Sequence, residues 1–277
     1  MRPLPVPSLL RRFNLQPKKS LGQNFLVDEA ALAKVAGAAE LTPADTVLEI
    51  GPGVGSLTRH LAAAAQRVVA VELDQSLWPA LEFVLEPYPN VTVFHGDILH
   101  IDLAALELPA GYKVVANIPY YITSAVIRRL LEAPAPPALI VLTVQREVAE
   151  RICAGPGEMS LLAVSVQVYS QPRLVARVPA GAFFPRPEVE SAVVRLDARP
   201  APAAAGLDMD RFFRVVKAGF SQKRKQVKNA LAASLPAEPA AVEAALTAAG
   251  VDPQRRAETL SLKEWGAIAQ NLVGPIS

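Results

Sequence analysis

Short apolar runs alternate with stretches of helical period over the first two-thirds of the chain. Thr46–Ile50, Arg67–Glu72, 91–94, 113–116 and 138–144 read as strands. Segments 28–39, 56–65, 75–85 and 123–132 read as helices, with Asp28 as an N-cap. The strands are apolar on both faces and separated by helices, which predicts a mostly parallel sheet covered on both sides. The runs 161–169 and 190–196 lack a helix between them and predict an antiparallel hairpin at one sheet edge. Arg199-Pro200-Ala201-Pro202-Ala203 reads as a linker. Beyond it strand signals stop, and 208–232, 238–249 and 262–272 look helical. Residues 1–20, rich in proline and basic side chains, read as a flexible basic arm. The expected organisation is an arm at 1–20, a Rossmann-like α/β domain at 21–203 and a small C-terminal helical domain at 204–277.

Composition narrows the class. Of 277 residues, 51% are hydrophobic and 19% charged, enough apolar material for a sizeable core. The net charge of +2 leaves the partner open, so the distribution of charge matters more than its sum. Cys153 is the single cysteine, which excludes an internal disulfide and a cysteine-based metal cluster and fits a reducing cytoplasm. His60, His95 and His100 lack a metal-ligand spacing, so no metal site is expected. No signal peptide is recognised, and no apolar run reaches the roughly 18 residues needed to cross a bilayer. The expected setting is therefore cytoplasmic, with no membrane partner and a monomeric chain.

Glu49-Ile50-Gly51-Pro52-Gly53-Val54-Gly55 lies between a strand and a helix, at the sheet edge where open α/β proteins bind ligands. Glycines such as Gly51 and Gly53 let backbone approach a ligand closely. A dinucleotide fingerprint would place glycine at 56, where Ser56 stands. The pattern suits a nucleoside cofactor without a phosphate, namely S-adenosylmethionine. Glu72, at the end of the second strand, can accept from ribose hydroxyls. Asp97 follows the third strand and can accept from an adenine amine, with Ile98 against the ring. Asp97 alone reads equally well as a turn residue. In series with Gly51 and Glu72 it reads as part of a cofactor site.

Asn117-Ile118-Pro119-Tyr120 closes the fourth strand on the same edge. An adenine amine is a poor nucleophile because its lone pair is delocalised into the ring. Acceptors aimed at its hydrogens hold the nitrogen in a more reactive geometry. The Asn117 side-chain oxygen and the Ile118 carbonyl are the candidates, with Pro119 fixing their direction. Tyr120 offers a face for an extruded base, worth roughly 1–3 kcal/mol. A sulfonium methyl is already electrophilic, so alignment and electrostatics suffice without a histidine base.

These motifs together resemble the family of ribosomal small-subunit RNA adenine dimethyltransferases, relatives of the erythromycin-resistance RNA methyltransferases. Lys18 to Leu26, Glu49 to Gly55, Glu72, Gly96-Asp97, Asn117 to Tyr120 and Phe183 to Val193 follow in that family's order over almost the whole chain. The resemblance implies cofactor contacts from Asn24, Leu26, Gly51, Glu72, Asp97 and Asn117. It implies Phe183 as a second aromatic wall for the target base. It further implies N6-dimethylation of two adjacent adenosines near the 3′ end of small-subunit rRNA during ribosome biogenesis. Glu188 departs from the family's usual lysine, which bears on a local phosphate contact. Arg211, Arg214, Lys217, Lys223, Arg224, Lys225 and Lys228 form a run without interleaved acids and are expected to touch RNA phosphates, as are Lys18 and Lys19. Two alternatives remain at this point: a large-subunit rRNA adenine methyltransferase of the antibiotic-resistance type, and a mainly non-catalytic small-subunit assembly factor.

Overall fold

The computed structural model describes residues 1–204 and 206–272. Position 205 and the last five residues of the expected helical domain lie outside them. In chain order the elements are α1 (Val6–Arg12), β1 (Phe25–Leu26), α2 (Glu29–Ala38), β2 (Thr46–Ile50), α3 (Thr58–Ala62), β3 (Arg67–Glu72) and α4 (Trp78–Leu85). Then come β4 (Val91–His95), β5 (Lys113–Asn117), α5 (Thr123–Leu131), β6 (Leu139–Gln145), α6 (Arg146–Ile152) and α7 (Leu161–Gln167). The chain continues through β7 (Ser170–Val178), β8 (Phe183–Phe184), β9 (Ser191–Ala198), α8 (Met209–Phe220), α9 (Val227–Ser234), α10 (Pro239–Ala248) and α11 (Leu262–Asn271). They fall into two compact units. One takes Met1–Ala149 and Pro172–Ala198, the other Glu150–Gln171 and the chain from Arg199 onward.

The first unit is built on a seven-stranded sheet of order β4-β3-β2-β5-β6-β9-β7. Strands β4, β3, β2, β5 and β6 run parallel, and β9 joins β6 antiparallel. Every residue of β2 and the centres of β3, β5 and β6 are buried, as a sheet covered on both faces requires. The strand order reverses between β2 and β5, so a crevice opens at their carboxyl ends. The expected α/β sheet with an antiparallel edge is therefore present.

Three local expectations give way. The first twenty residues carry α1, whose Val6, Leu9 and Leu10 are buried against Leu77, Leu81 and Val84, so apolar burial anchors them. The run 161–169 is helical at first and becomes strand only at Ser170. Ser160 caps it by accepting from the Ala163 N–H at 3.1 Å, and that cap decides an apolar run whose period is ambiguous. Helix 208–232 is broken after Phe220. The Ser221 hydroxyl donates to the Ala218 carbonyl, and the Val227 N–H goes to the Arg255 carbonyl instead of back into the helix.

The second unit packs α7, α8, α9, α10 and α11 around Phe212, Val215, Leu231, Leu246 and Trp265, all fully buried. Ser261 and Glu264 form a reciprocal capping box that starts α11.

Candidate active site

The crevice is a cavity of about 210 Å³ lined wholly by the first unit. Asn24, Leu26, Gly51, Gly53, Glu72, Asp97, Ile98, Asn117, Ile118, Pro119 and Tyr120 all line it. Residues scattered from 24 to 120 thus meet at one sheet edge, because each follows the end of a strand or lies in the segment crossing it.

Gly51 and Gly53 both have φ in the left-handed region, +67° and +61°. A Cβ on Gly51 would have no protein atom within 4 Å, so a ligand can approach that backbone without obstruction. A Cβ on Gly53 would meet the Phe25 ring at 2.9 Å. The Gly53 N–H donates to Glu72 Oε2 at 2.9 Å, which fixes the loop against β3. The other oxygen, Oε1, accepts from the Asp74 N–H at 2.8 Å. Burial pushes the Glu72 carboxyl up, while these two N–H groups pull it back toward ionisation. Asp97 is held below the ordinary carboxylate range, chiefly by the Leu99 N–H at 2.9 Å; His100 adds a second bond to Oδ2 at 2.9 Å.

Glu49, at the head of the glycine loop, also lines the cavity. It is 1% exposed, and its Oε2 has no hydrogen-bond partner among the described residues. Burial pushes its pKa up to about 8. A buried carboxyl with one unbonded oxygen, an open glycine cradle and acceptors at the ends of β3 and β4 suit a ligand carrying an ammonium, ribose hydroxyls and an adenine amine. S-adenosylmethionine has that donor set.

At the end of β5 the Asn117 Nδ2 donates to the Asn24 carbonyl at 3.0 Å. A carbonyl only accepts, so this bond fixes which way the amide points and leaves Oδ1 as an acceptor. Tyr120 is half-buried. Its hydroxyl shares a hydrogen bond with Ser191 Oγ at 2.7 Å, which locks the ring. Tyr121, next in the chain, also lines the cavity and is 66% exposed.

Phe183 departs from its expected place. Its ring is buried in the core with Leu26 and Leu32 and does not line the cavity. Strand β8 pairs with β1, and alternation along it turns Phe183 inward and leaves Phe184 exposed.

The expected RNA contacts divide. Arg214, Lys217, Lys223, Arg224 and Lys225 are exposed. Arg211 is not free: its guanidinium donates to the Ala269 and Leu272 carbonyls at the end of α11. Lys228 pairs with Glu243 at 3.5 Å. Lys18 and Lys19 are both exposed, and Lys18 is also bonded to Asp74 at 2.6 Å. Chain separations of this size hide such partners from a reading of sequence.

The parallel sheet, its switch point and the cofactor crevice define a class I S-adenosylmethionine-dependent methyltransferase. The ribosomal RNA adenine dimethylase family model matches residues 14–273, and the chain belongs to that family. A ribosomal RNA small subunit methyltransferase A from Pelotomaculum thermopropionicum is 47% identical over 98% of this chain and 96% of its own. Another, from Dehalococcoides mccartyi, is 46% identical over 93% of this chain and 89% of its own. Among solved structures, the 23S rRNA methyltransferase ErmE superposes with a TM-score of 0.73 at 33% identity, covering 90% of this chain and 99% of that one.

Proposed function

We propose that this enzyme dimethylates the N6 amines of two adjacent adenosines near the 3′ end of small-subunit rRNA during ribosome biogenesis. Bound S-adenosylmethionine supplies an electrophilic sulfonium methyl. Gly51, Glu72, Asp97, Ile98, Asn24 and Leu26 are the residues that hold it. The observation that carries the reading is the fixed amide of Asn117, which presents Oδ1 as an acceptor at the edge of the cofactor cavity. Asn117 Oδ1 and the Ile118 carbonyl accept the amine hydrogens, two before the first transfer and one before the second. This draws the nitrogen lone pair out of conjugation and aligns it for transfer. In each of the two transfers an N–C bond would form as the S–C bond breaks, S-adenosylhomocysteine would leave, and N6 would release one proton to solvent. Tyr120, locked by Ser191, stacks on the base. With Phe183 buried, the facing wall falls to an exposed ring, and Tyr121 is the one that lines the cavity.

The small-subunit target is supported by the names of the 46–47% identical relatives, against 33% for the large-subunit enzyme. The exposed run Arg214, Lys217, Lys223, Arg224 and Lys225 supplies the RNA phosphate contacts. Asn117→Ala tests the assignment. Methyl transfer to small-subunit particles should fall at least about 100-fold, the scale seen when one oriented polar group is removed from a transition state. Full transfer by this variant would refute the role of Asn117.

A further inference from the structure

The segment from Lys18 to Leu26 crosses the crevice as a strap, and its residues from Leu21 onward line the cavity. One end of the strap is tied to the catalytic tetrapeptide, through the Asn117 amide on the Asn24 carbonyl. The other end is tied to a single carboxylate. Lys18 Nζ donates to Asp74 Oδ1 at 2.6 Å and to Ser76 Oγ at 3.0 Å, and Gln23 Nε2 donates to Asp74 Oδ2 at 2.7 Å. The Lys18 N–H also donates to Gln23 Oε1 at 2.8 Å, so the two strap residues hold each other.

Asp74 does not line the cavity, yet it is 4% exposed. Its own N–H donates to Glu72 Oε1, the carboxylate that faces the cofactor. Burial opposes its ionisation, but the bonds from Lys18, Ser76 and Gln23 outweigh that and hold its pKa at about 2. The carboxylate is therefore charged throughout the neutral range. A charge-assisted pair on a buried carboxylate is stronger than an isolated surface ion pair.

We propose that Asp74 is a positioning residue that latches the strap through Lys18 and Gln23, and that this latch sets how fast the cofactor leaves. Lys18, still exposed, thereby acts on the cofactor side through Asp74. The inference rests on the cavity being the S-adenosylmethionine site.

The test uses the full chain with S-adenosylhomocysteine as probe. Its dissociation rate is followed by displacement in the wild type, in Lys18→Met/Gln23→Leu and in Lys18→Arg. The double variant leaves the Asp74 bond to the Ser76 N–H intact, so the turn after β3 keeps its cap. Dissociation should quicken roughly tenfold in the double variant, the low end for lost charge-assisted hydrogen bonds, and Lys18→Arg, which keeps the cation and Gln23, should stay near the wild-type rate. Amide exchange at Leu21, Gly22 and Gln23, which bond to the Lys18 and Lys19 carbonyls, should speed up in parallel. A dissociation rate within about twofold of wild type in the double variant overturns the latch. So does a loss of RNA affinity with cofactor release unchanged, which would return Lys18 to the RNA surface. If the wild type does not hold the probe at all, the cofactor assignment itself fails, and the latch with it.

Discussion

Glu49 stands in a place where solvent and protein disagree about a proton. Its pKa lies at about 8 in the fold against an ordinary 4.5. Between those values the native chain keeps the proton and the unfolded chain does not, so stability falls as pH rises through that window. Below 4.5 both states are protonated and the penalty vanishes. Glu49→Gln removes it. In the cofactor-free chain the variant should melt with the wild type near pH 4.5 and on the order of a few degrees higher at pH 8, read by calorimetry. A pH-independent difference would show that Glu49 is not buried neutral. Gly51, Glu72, Asp97 and Asn117 were legible as crevice positions because each ends a recognisable strand or lies within two residues of its end. Asp74 and Gln23 were not. They bond across 51 positions, and a lone aspartate two residues before a serine reads as a turn cap.

Elements were legible where length and capping agreed with the apolar period. Strands β2, β3, β5 and β6 and helices α2, α5 and α11 fall within a residue or two of expectation. The errors share a cause: apolar runs carry burial but not period. The stretch 161–169 packs as helix α7 against α8, where Val164 and Val168 join the same core as Phe212 and Val216. The pairing of β1 with β8, which turns Phe183 inward, depends on a partner some 160 positions away and leaves no local mark. Within the helical unit α8 and α11 meet closely at Gly219. A Cβ there would lie 2.3 Å from Trp265 Cη2, and Trp265 is fully buried. Gly219→Ala must shift the indole or the helix. A loss of about 1–3 kcal/mol is expected from urea unfolding of the chain, as for other overpacked cores. An unchanged midpoint would mean that α8 and α11 meet less tightly than the structure has them.

At the scale of the molecule a net charge of +2 conceals a basic face. Lys223, Arg224 and Lys225 stand exposed in the turn between α8 and α9, whereas Arg211 and Lys228 are spent on a helix end and on Glu243. Composition could not separate these groups, because pairing depends on the fold. Replacing Lys223, Arg224 and Lys225 with glutamine should weaken rRNA binding and flatten its salt dependence by roughly one log–log unit per lost phosphate contact. An unchanged slope would remove that turn from the interface. The proposed activity stands or falls on the identity of the product. Unmethylated small-subunit particles incubated with the enzyme and S-adenosylmethionine, then digested in parallel to nucleosides and to RNA fragments of assigned sequence and analysed by mass spectrometry, measure it directly. N6,N6-dimethyladenosine is expected, two per particle, in adjacent positions near the 3′ end. Small-subunit particles that gain no dimethyladenosine, while large-subunit RNA does, would contradict it.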